Sequence, residues 1–219
     1  MTDAEINSQT KALLVAQRTR DVETGGHTQR VTRLALRLGR EFALTELERT
    51  ALKYGALLHD LGKIGTPDAI LKKTGRHTDE ERAVMRQHVS VGVQMLCALK
   101  FPKEIWQLVA QHHERWDGAG YPAGLRGAEI DLTARIFAVA DTLDAMTSNR
   151  CYRRSLGYSR ARQEISECSG TQFDPQVVAA FLAIDPADWD QLRGVGSRER
   201  QQGPKAVSSR ASFSPCSRA

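Results

Sequence analysis

Five of the chain's six histidines, His27, His59, His88, His112 and His113, are candidates for one metal cluster. His59 is followed at once by Asp60, and His112 by His113 and Glu114. Imidazole nitrogen and carboxylate oxygen suit borderline metals such as iron, manganese or zinc. Neighbours on a helix point about 100° apart, so two adjacent residues cannot both enter an ordinary apolar core from one helix face. Two ions lying side by side can use both. A carboxylate can bridge two ions where a histidine cannot, so Asp60 can tie an ion held by His59 to another held elsewhere. Lys63 lies four residues after His59 and three after Asp60, on their face if the helix continues. Its ammonium can hold a phosphate oxygen.

Each of these residues also has an ordinary reading. The His59-Asp60 dipeptide alone is more often free of metal, Lys63 alone is more often a solvated side chain, and His88 is more often a partly buried helix histidine. Asp141 closes the apolar run Ile136 to Ala140, where an unpaired buried carboxylate is costly; it is a hydrogen-bonded aspartate or a ligand. Glu23 and His27 are one helical turn apart and either converge on an ion or form an exposed polar pair. Together the odds change, because these residues fall near the ends of five separate predicted helices. His77 alone is outside the set, in a polar loop, and is expected to be solvated.

The elements that must position these groups are helical. Val31, Leu34, Ala35, Leu38 and Phe42 recur at three- and four-residue steps, and Leu47, Ala51, Leu52, Ala56, Leu57 and Leu58 continue the pattern in a second helix. Thr78-Asp79-Glu80-Glu81 has the form of a capping box, and the spacing predicts one helix through Val84, Met85, His88, Val91 and Met95. Pro102 can open the next helix, carrying Ile105, Trp106, Val109 and His113. Residues 132–147 predict another, Ser159 can cap one through Ile165, and Pro175 can start one through Leu182. Two loops lie between: 62–76, with Gly62, Gly65, Pro67 and Gly75, and 115–128, RWDGAGYPAGLRGA, with four glycines and a proline. No alternating β pattern of useful length occurs, nor any internal repeat.

At 219 residues, with 26% charged and 41% hydrophobic residues, one soluble domain with a well-buried core is expected. No stretch approaches the ~18 apolar residues of a membrane span. The start, MTDAEINSQTK, lacks a secretory apolar core, so a cytoplasmic location is expected. Cys97, Cys151, Cys168 and Cys216 are scattered without a C-x-x-C pair and read as separate thiols. The net charge of +5 belongs to residues 191–219, where Arg193, Arg198, Arg200, Lys205, Arg210 and Arg218 face one acid, Glu199. The first 190 residues are formally neutral, which gives no support for a nucleic-acid footprint. The Gly-, Ser-, Gln- and Arg-rich tail is expected to lack fixed structure.

The segments ETGGHTQR at 23–30, HDLGKIGTPDAIL at 59–71, His88, HHERWDGAGYPAGL at 112–125, ARIFAVADTLDAMTSNR at 134–150 and SGTQFDP at 169–175 resemble the HD-GYP domain, a subgroup of the HD phosphohydrolases. The resemblance runs from about residue 10 to 183. It implies an all-α fold: a single helical-bundle HD-type domain, taken here as residues 1–190, before the basic tail 191–219. It implies a bacterial, cytosolic phosphodiesterase acting on cyclic di-GMP, with pGpG and in some members GMP as product. Matched residue by residue, His27, His59, Asp60 and Asp141 hold one ion. Asp60, His88, His112 and His113 hold a second, with Asp60 bridging. Glu23 matches a ligand of a third ion in some members. Two or three divalent ions, iron or manganese, are implied. Lys63, Arg150 and Arg153 match positions that hold substrate phosphates.

Where the family has R-P-Y-K, this chain has Arg150-Cys151-Tyr152-Arg153, which keeps the charge but changes its contact geometry. Thr66 replaces a usual apolar residue. No metal ligand is lost. The expected chemistry is attack on phosphorus by a metal-bridging hydroxide, in line with the departing ribose 3′ oxygen, with Asp60 and Lys63 as the catalytic side chains. Tyr121 in Gly120-Tyr121-Pro122 either packs beneath its loop or lines the substrate opening. That loop is linked in the family to diguanylate cyclase (GGDEF) domains. The alternatives are a non-catalytic cyclic-dinucleotide receptor or interaction module, and an HD phosphohydrolase acting on another cyclic dinucleotide or nucleotide. No upstream sensory domain is visible, so regulation in trans by a separate protein, no regulation in cis, or a longer product all remain open, as does oligomeric state.

Overall fold

The computed structural model describes residues 1–20, 24–148 and 155–193. Eleven α-helices occur among them: α1 Asp3–Arg18, α2 Thr24–Gly39, α3 Glu46–Leu58, α4 Asp68–Leu71, α5 Asp79–Arg86, α6 His88–Ala98, α7 Lys103–Gln111, α8 Leu132–Thr147, α9 Tyr158–Glu167, α10 Pro175–Ala183 and α11 Pro186–Arg193. Two 3-10 turns, Leu61–Gly65 and Gly127–Glu129, join the set. No named strand occurs among the described residues; a single bridge pairs Ser169 with Phe173. The all-α expectation holds.

Two apolar clusters share α3 and α7 as a common wall. Leu52, Ala56 and Leu108 face a cluster with Leu34, Leu38, Phe137, Leu143, Phe181 and Trp189. Ala51, Tyr54, Leu58, Ile105 and Val109 face the other, with Ile6, Leu61, Leu96 and Phe101. α8 lies deepest: Ile136, Phe137, Val139, Ala140, Leu143 and Met146 are all buried. A helix apolar on most of its faces belongs in a core, and each large side chain there contributes about 1.5–3 kcal/mol.

Helix starts follow local chemistry. Thr2, Thr45 and Thr78 each accept a hydrogen bond from the backbone three residues on, while Glu5, Glu48 and Glu81 reach back. These capping boxes satisfy amides that have no partner inside the helix. Asp131 and Asp174 cap α8 and α10.

Several expectations shift. α2 ends at Gly39, so Phe42 lies beyond it. The helix expected from Thr78 through Met95 breaks at Gln87, and His88 begins a new one. α7 stops at Gln111, before His113. The cap of α9 is Gly157 rather than Ser159. The 62–76 loop contains a 3-10 turn and α4. His77 is half-buried, with Nε2 2.9 Å from the Ile70 carbonyl, rather than solvated. Cys97 is free and exposed, but Cys168 is disulfide-bonded, against the expectation of separate thiols. Cys151 and Cys216 lie outside the described residues; scattered spacing does not reveal which cysteines a fold brings together.

α1 and α11 had no counterpart in the sequence reading. Trp189 of α11 is fully buried and packs on Phe181 with ring centroids 5.3 Å apart. Arg37 ties α2 to α11 through Asp188 at 2.8 Å. α11 thus crosses the boundary expected at 190. The rest of the expected tail, from 194 on, lies outside the described residues.

Candidate metal centre

The first ligand pair sits where a helix stops. α3 ends at Leu58, His59 is its C-cap and Asp60 leads into the 3-10 turn. Beyond the helix end the 100° spacing no longer applies, so both side chains turn inward. His59 Nδ1 donates to the Ala56 carbonyl at 2.9 Å. A carbonyl only accepts, so Nδ1 carries the hydrogen and Nε2 keeps its lone pair. His88 repeats this with the Met85 carbonyl at 2.7 Å, and His112 with the Val109 carbonyl at 2.7 Å.

Ligand-type atoms gather in two groups: His27 with His59 and Asp60, and His88 with His112 and His113, each within 4.8 Å. Asp60 joins them. Its Oδ2 lies 3.3 Å from His59 Nε2 and its Oδ1 lies 3.6 Å from His88 Nε2. Burial opposes the Asp60 charge, but Lys63, His59 and His88 outweigh it and hold its pKa well below the usual carboxylate range. Lys63 Nζ sits 2.7 Å from Asp60 Oδ2, although the helix expected to align them has ended.

The donor set fits a divalent cation. His88 Nε2 and His112 Nε2 are 3.4 Å apart, and both Nδ1 hydrogens are committed to carbonyls. In their neutral forms two lone pairs therefore face each other with no hydrogen between them. Burial lowers the pKa of both rings, which disfavours a proton there. A metal ion satisfies both lone pairs at once.

His27 is held by two carboxylates. Its Nδ1 lies 2.7 Å from Asp144 Oδ2 and its Nε2 3.3 Å from Asp141 Oδ1. Burial opposes a charge on His27, but hydrogen bonds to Asp141 and Asp144 outweigh it and raise its pKa to about 9. Asp141 keeps 28% of its side chain exposed, at the rim of the site. Its packing opposes the charge, but His27 outweighs this and lowers the Asp141 pKa to about 2. Asp144 is buried and also binds Arg30, through Nε at 2.7 Å and Nη2 at 3.1 Å. Sequence reasoning missed Asp144 as a site residue. Its position three after Asp141, on the same face of α8, was the available signal.

Sequence reasoning also missed Gln17 and Arg20. Gln17 donates to the Asp60 carbonyl at 3.1 Å. Arg20 donates to the Ile64 carbonyl at 2.5 Å and pairs with Asp68 at 2.7 Å. The end of α1 therefore clamps the segment that carries Asp60 and Lys63. The T-x-x-E pattern at Thr2 and Glu5 would have revealed α1.

The glycine-rich loop forms the outer wall. Glu114 is buried and accepts from the amides of Ala123 at 2.7 Å and Leu125 at 3.0 Å, so it shapes the loop. A Cβ on Gly120 would lie 2.4 Å from Arg115 N and 2.6 Å from the His113 carbonyl, which leaves room only for glycine. The amides of Trp116 and Asp117 donate to the carbonyls of Gln172 and Thr171 at 3.2 and 2.8 Å, which gives the 169–175 motif its place. Tyr121 stacks on His113 with centroids 4.6 Å apart and planes at 22°. Burial, then the nearby His88, lowers the His113 pKa to about 3. Tyr121 also borders an open cavity, so it both packs and lines an opening. Glu23, Arg150 and Arg153 lie outside the described residues.

Helix ends converge on two groups, His27 with His59 and Asp60 and His88 with His112 and His113, adjoining at Asp60, and so define a helical domain with a candidate metal centre. The chain matches the HD domain family over residues 14–177, and it belongs to that family. A relative from Thermotoga maritima named cyclic di-GMP phosphodiesterase is 44% identical over 178 residues, covering 80% of this chain and 48% of that protein. A Vibrio cholerae relative named 3′3′-cGAMP-specific phosphodiesterase 2 is 37% identical over 175 residues, covering 79% of this chain and 33% of that one. The chain thus spans half or less of these curated relatives. The crystal structure of a cyclic GMP-AMP specific phosphodiesterase from Vibrio cholerae aligns with a TM-score of 0.62 at 20% identity, over 84% of this chain and 50% of that one. At that identity the likeness is one of fold. No helix among the described residues is long and apolar enough to cross a membrane.

Proposed function

We propose that the chain is a metal-dependent phosphodiesterase that opens cyclic di-GMP to pGpG, and that iron or manganese occupies its centre. The single observation that carries this reading is Asp60, whose two oxygens face separate imidazole groups at 3.3 and 3.6 Å. His27, His59, Asp60 and Asp141 would hold one ion, and Asp60, His88, His112 and His113 the second; Glu23 would add a third. When bound, paired ions supply Lewis-acid stabilisation of phosphate charge and an acidified water.

The chain's own residues prepare that chemistry. The carbonyls of Ala56, Met85 and Val109 fix three imidazoles in the tautomer that presents Nε2 inward. Asp144 and Arg30 orient His27. Lys63, held beside Asp60, has a flexible stem that lets its ammonium move to a phosphate oxygen of the substrate. Arg150 and Arg153 would hold the second phosphate. The relative named for 3′3′-cGAMP favours a second reading, in which a mixed cyclic dinucleotide is the better substrate.

The test is to load the purified chain with iron or manganese without oxygen and incubate it with cyclic di-GMP and with 3′3′-cGAMP. Linear dinucleotide should form, and Asp60→Ala should abolish it. Tight binding without turnover would instead support a receptor. Undiminished turnover by Asp60→Ala would overturn the shared-carboxylate reading.

A further inference from the structure

The last turn of α1 is joined to the candidate metal centre through backbone. Gln17 Nε2 donates to the Asp60 carbonyl at 3.1 Å, and the Lys63 amide donates to the same oxygen at 3.0 Å. A carbonyl oxygen has two lone pairs, so both are used. The Lys63 donor comes from within the 3-10 turn, whereas Gln17 lies 43 residues away in sequence. Together they fix the peptide plane that follows Asp60, and with it the direction of the Cβ that carries the carboxylate. Two residues past α1, Arg20 donates to the Ile64 carbonyl at 2.5 Å and the Thr66 carbonyl at 3.4 Å, and it pairs with Asp68 at 2.7 Å. The two clamps lie on either side of Lys63.

We propose that Gln17 and Arg20 are positioning residues, and that docking of α1 and ion binding at the centre are coupled. The proposal rests on the metal-dependent reading above. Ile6, Thr10, Leu13 and Gln17 follow at steps of four, three and four residues, which puts them on one face of α1, and that face meets the domain. Of the apolar residues in α1 only Ile6 is buried; Leu13 is half-buried and Val15 is 64% exposed. An element with so little apolar burial opens at a lower free energy than the core helices. This weakly held element nevertheless orients Asp60, whose oxygens lie 3.3 Å from His59 Nε2 and 3.6 Å from His88 Nε2. When α1 lifts, the Asp60 carbonyl loses one of its donors and the segment after Lys63 loses Arg20. The carboxylate and the ammonium are then no longer held in place against the imidazoles. Coupling is reciprocal: whatever a docked α1 adds to ion affinity, a bound ion returns to the docking of α1.

The test uses the full chain with manganese, and with ferrous iron in the absence of oxygen. Gln17→Met keeps the length and approximate volume of the side chain and removes the donor. Arg20→Ala changes an exposed side chain and spares the core. Ion affinity, read by competition with a chelator, should fall about tenfold or more in each variant. The melting temperature of metal-free Gln17→Met should stay within about 4 °C of wild type. In wild type, adding the ion should slow hydrogen exchange across the last turn of α1 by about tenfold, and that protection should shrink in Gln17→Met. Unchanged affinity in either variant, an affinity that falls only in step with metal-free melting, or exchange in α1 that the ion leaves unaltered would overturn the coupling while leaving the phosphodiesterase standing. Wild-type protein that binds neither ion would overturn both.

Discussion

Gly62 offers the sharpest test of how the backbone sets the two ligand groups against each other. The 3-10 turn after Asp60 runs so close to the start of α6 that a Cβ on Gly62 would lie 1.9 Å from the His88 carbonyl oxygen and 2.5 Å from Gly92 N. Real Cβ contacts stay beyond 3.0 Å, so Gly62→Ala must push the turn and α6 apart by more than 1 Å. The obstructing atoms are backbone, so no side chain can rotate away. Overpacking of this kind costs about 1–3 kcal/mol, and a clash with backbone belongs at the upper end. For a domain of this size, about 3 kcal/mol lowers the melting temperature by roughly 6–12 °C.

The functional effect should exceed the effect on stability. Asp60 and His88 flank Gly62 on the two elements being forced apart, and they face each other at 3.6 Å. A misplacement of about 1 Å in a catalytic centre can cost about 100-fold. Gly62→Ala and wild type should be compared by thermal unfolding, metal content and turnover of a phosphodiester. Gly75→Ala, whose Cβ would meet nothing within 4 Å, is the control and should stay within about 0.5 kcal/mol. Unchanged melting and full metal content in Gly62→Ala would refute the account.

Asp144→Asn removes the charge that holds His27 and Arg30; we expect about 10–100-fold weaker metal binding, read by titration with a chelator competitor. Glu114→Ala removes the acceptor for two loop amides and should speed hydrogen exchange at Ala123 and Leu125 by at least tenfold, with a stability loss of about 1.5–3 kcal/mol. Stability of the metal-free protein should depend on pH through His27. His27 has a raised pKa of about 9, so its contribution is complete below its unfolded value near 6.5 and is lost as pH rises through 9. Chemical unfolding at pH 6 and pH 9.5 should show a drop on the order of 3 kcal/mol that is absent from His27→Ala.

Sequence marks the candidate metal-binding residues more clearly than the elements that hold them. His59, Asp60, His112 and His113 are legible because they close apolar helical runs, His27 and His88 because they are histidines at helix starts, and the structure brings all six into two adjoining groups. The elements were less legible where tertiary contacts decide. The break at Gln87 is invisible to periodicity, since Val84, Met85, His88 and Val91 keep helical spacing across it. α11 is short of apolar residues and its place is fixed by the buried Trp189, while α1 carries an apolar run from Ala12 to Ala16 of which little is buried, its deepest apolar contact being Ile6. Gln17 holds another residue's carbonyl, which leaves no mark on its own surroundings in sequence, and Asp144 is marked only by its place three residues after Asp141 on α8.

The three carbonyl-bonded histidines explain why adjacent residues can serve one centre. His59 and His112 are C-caps of α3 and α7, and His88 directly follows the last turn of α5. Each ring donates to the carbonyl three residues back, among the last carbonyls that a helix leaves without a partner. One hydrogen bond therefore ends the helix and fixes the imidazole tautomer. The residue after each C-cap then leaves the helix path, so Asp60 and His113 can reach the centre beside their neighbours. Helix length thereby becomes a determinant of how the imidazoles are arranged: moving the end of α3 or α7 by one residue would rotate its histidine by about 100° and take Nε2 out of the cluster.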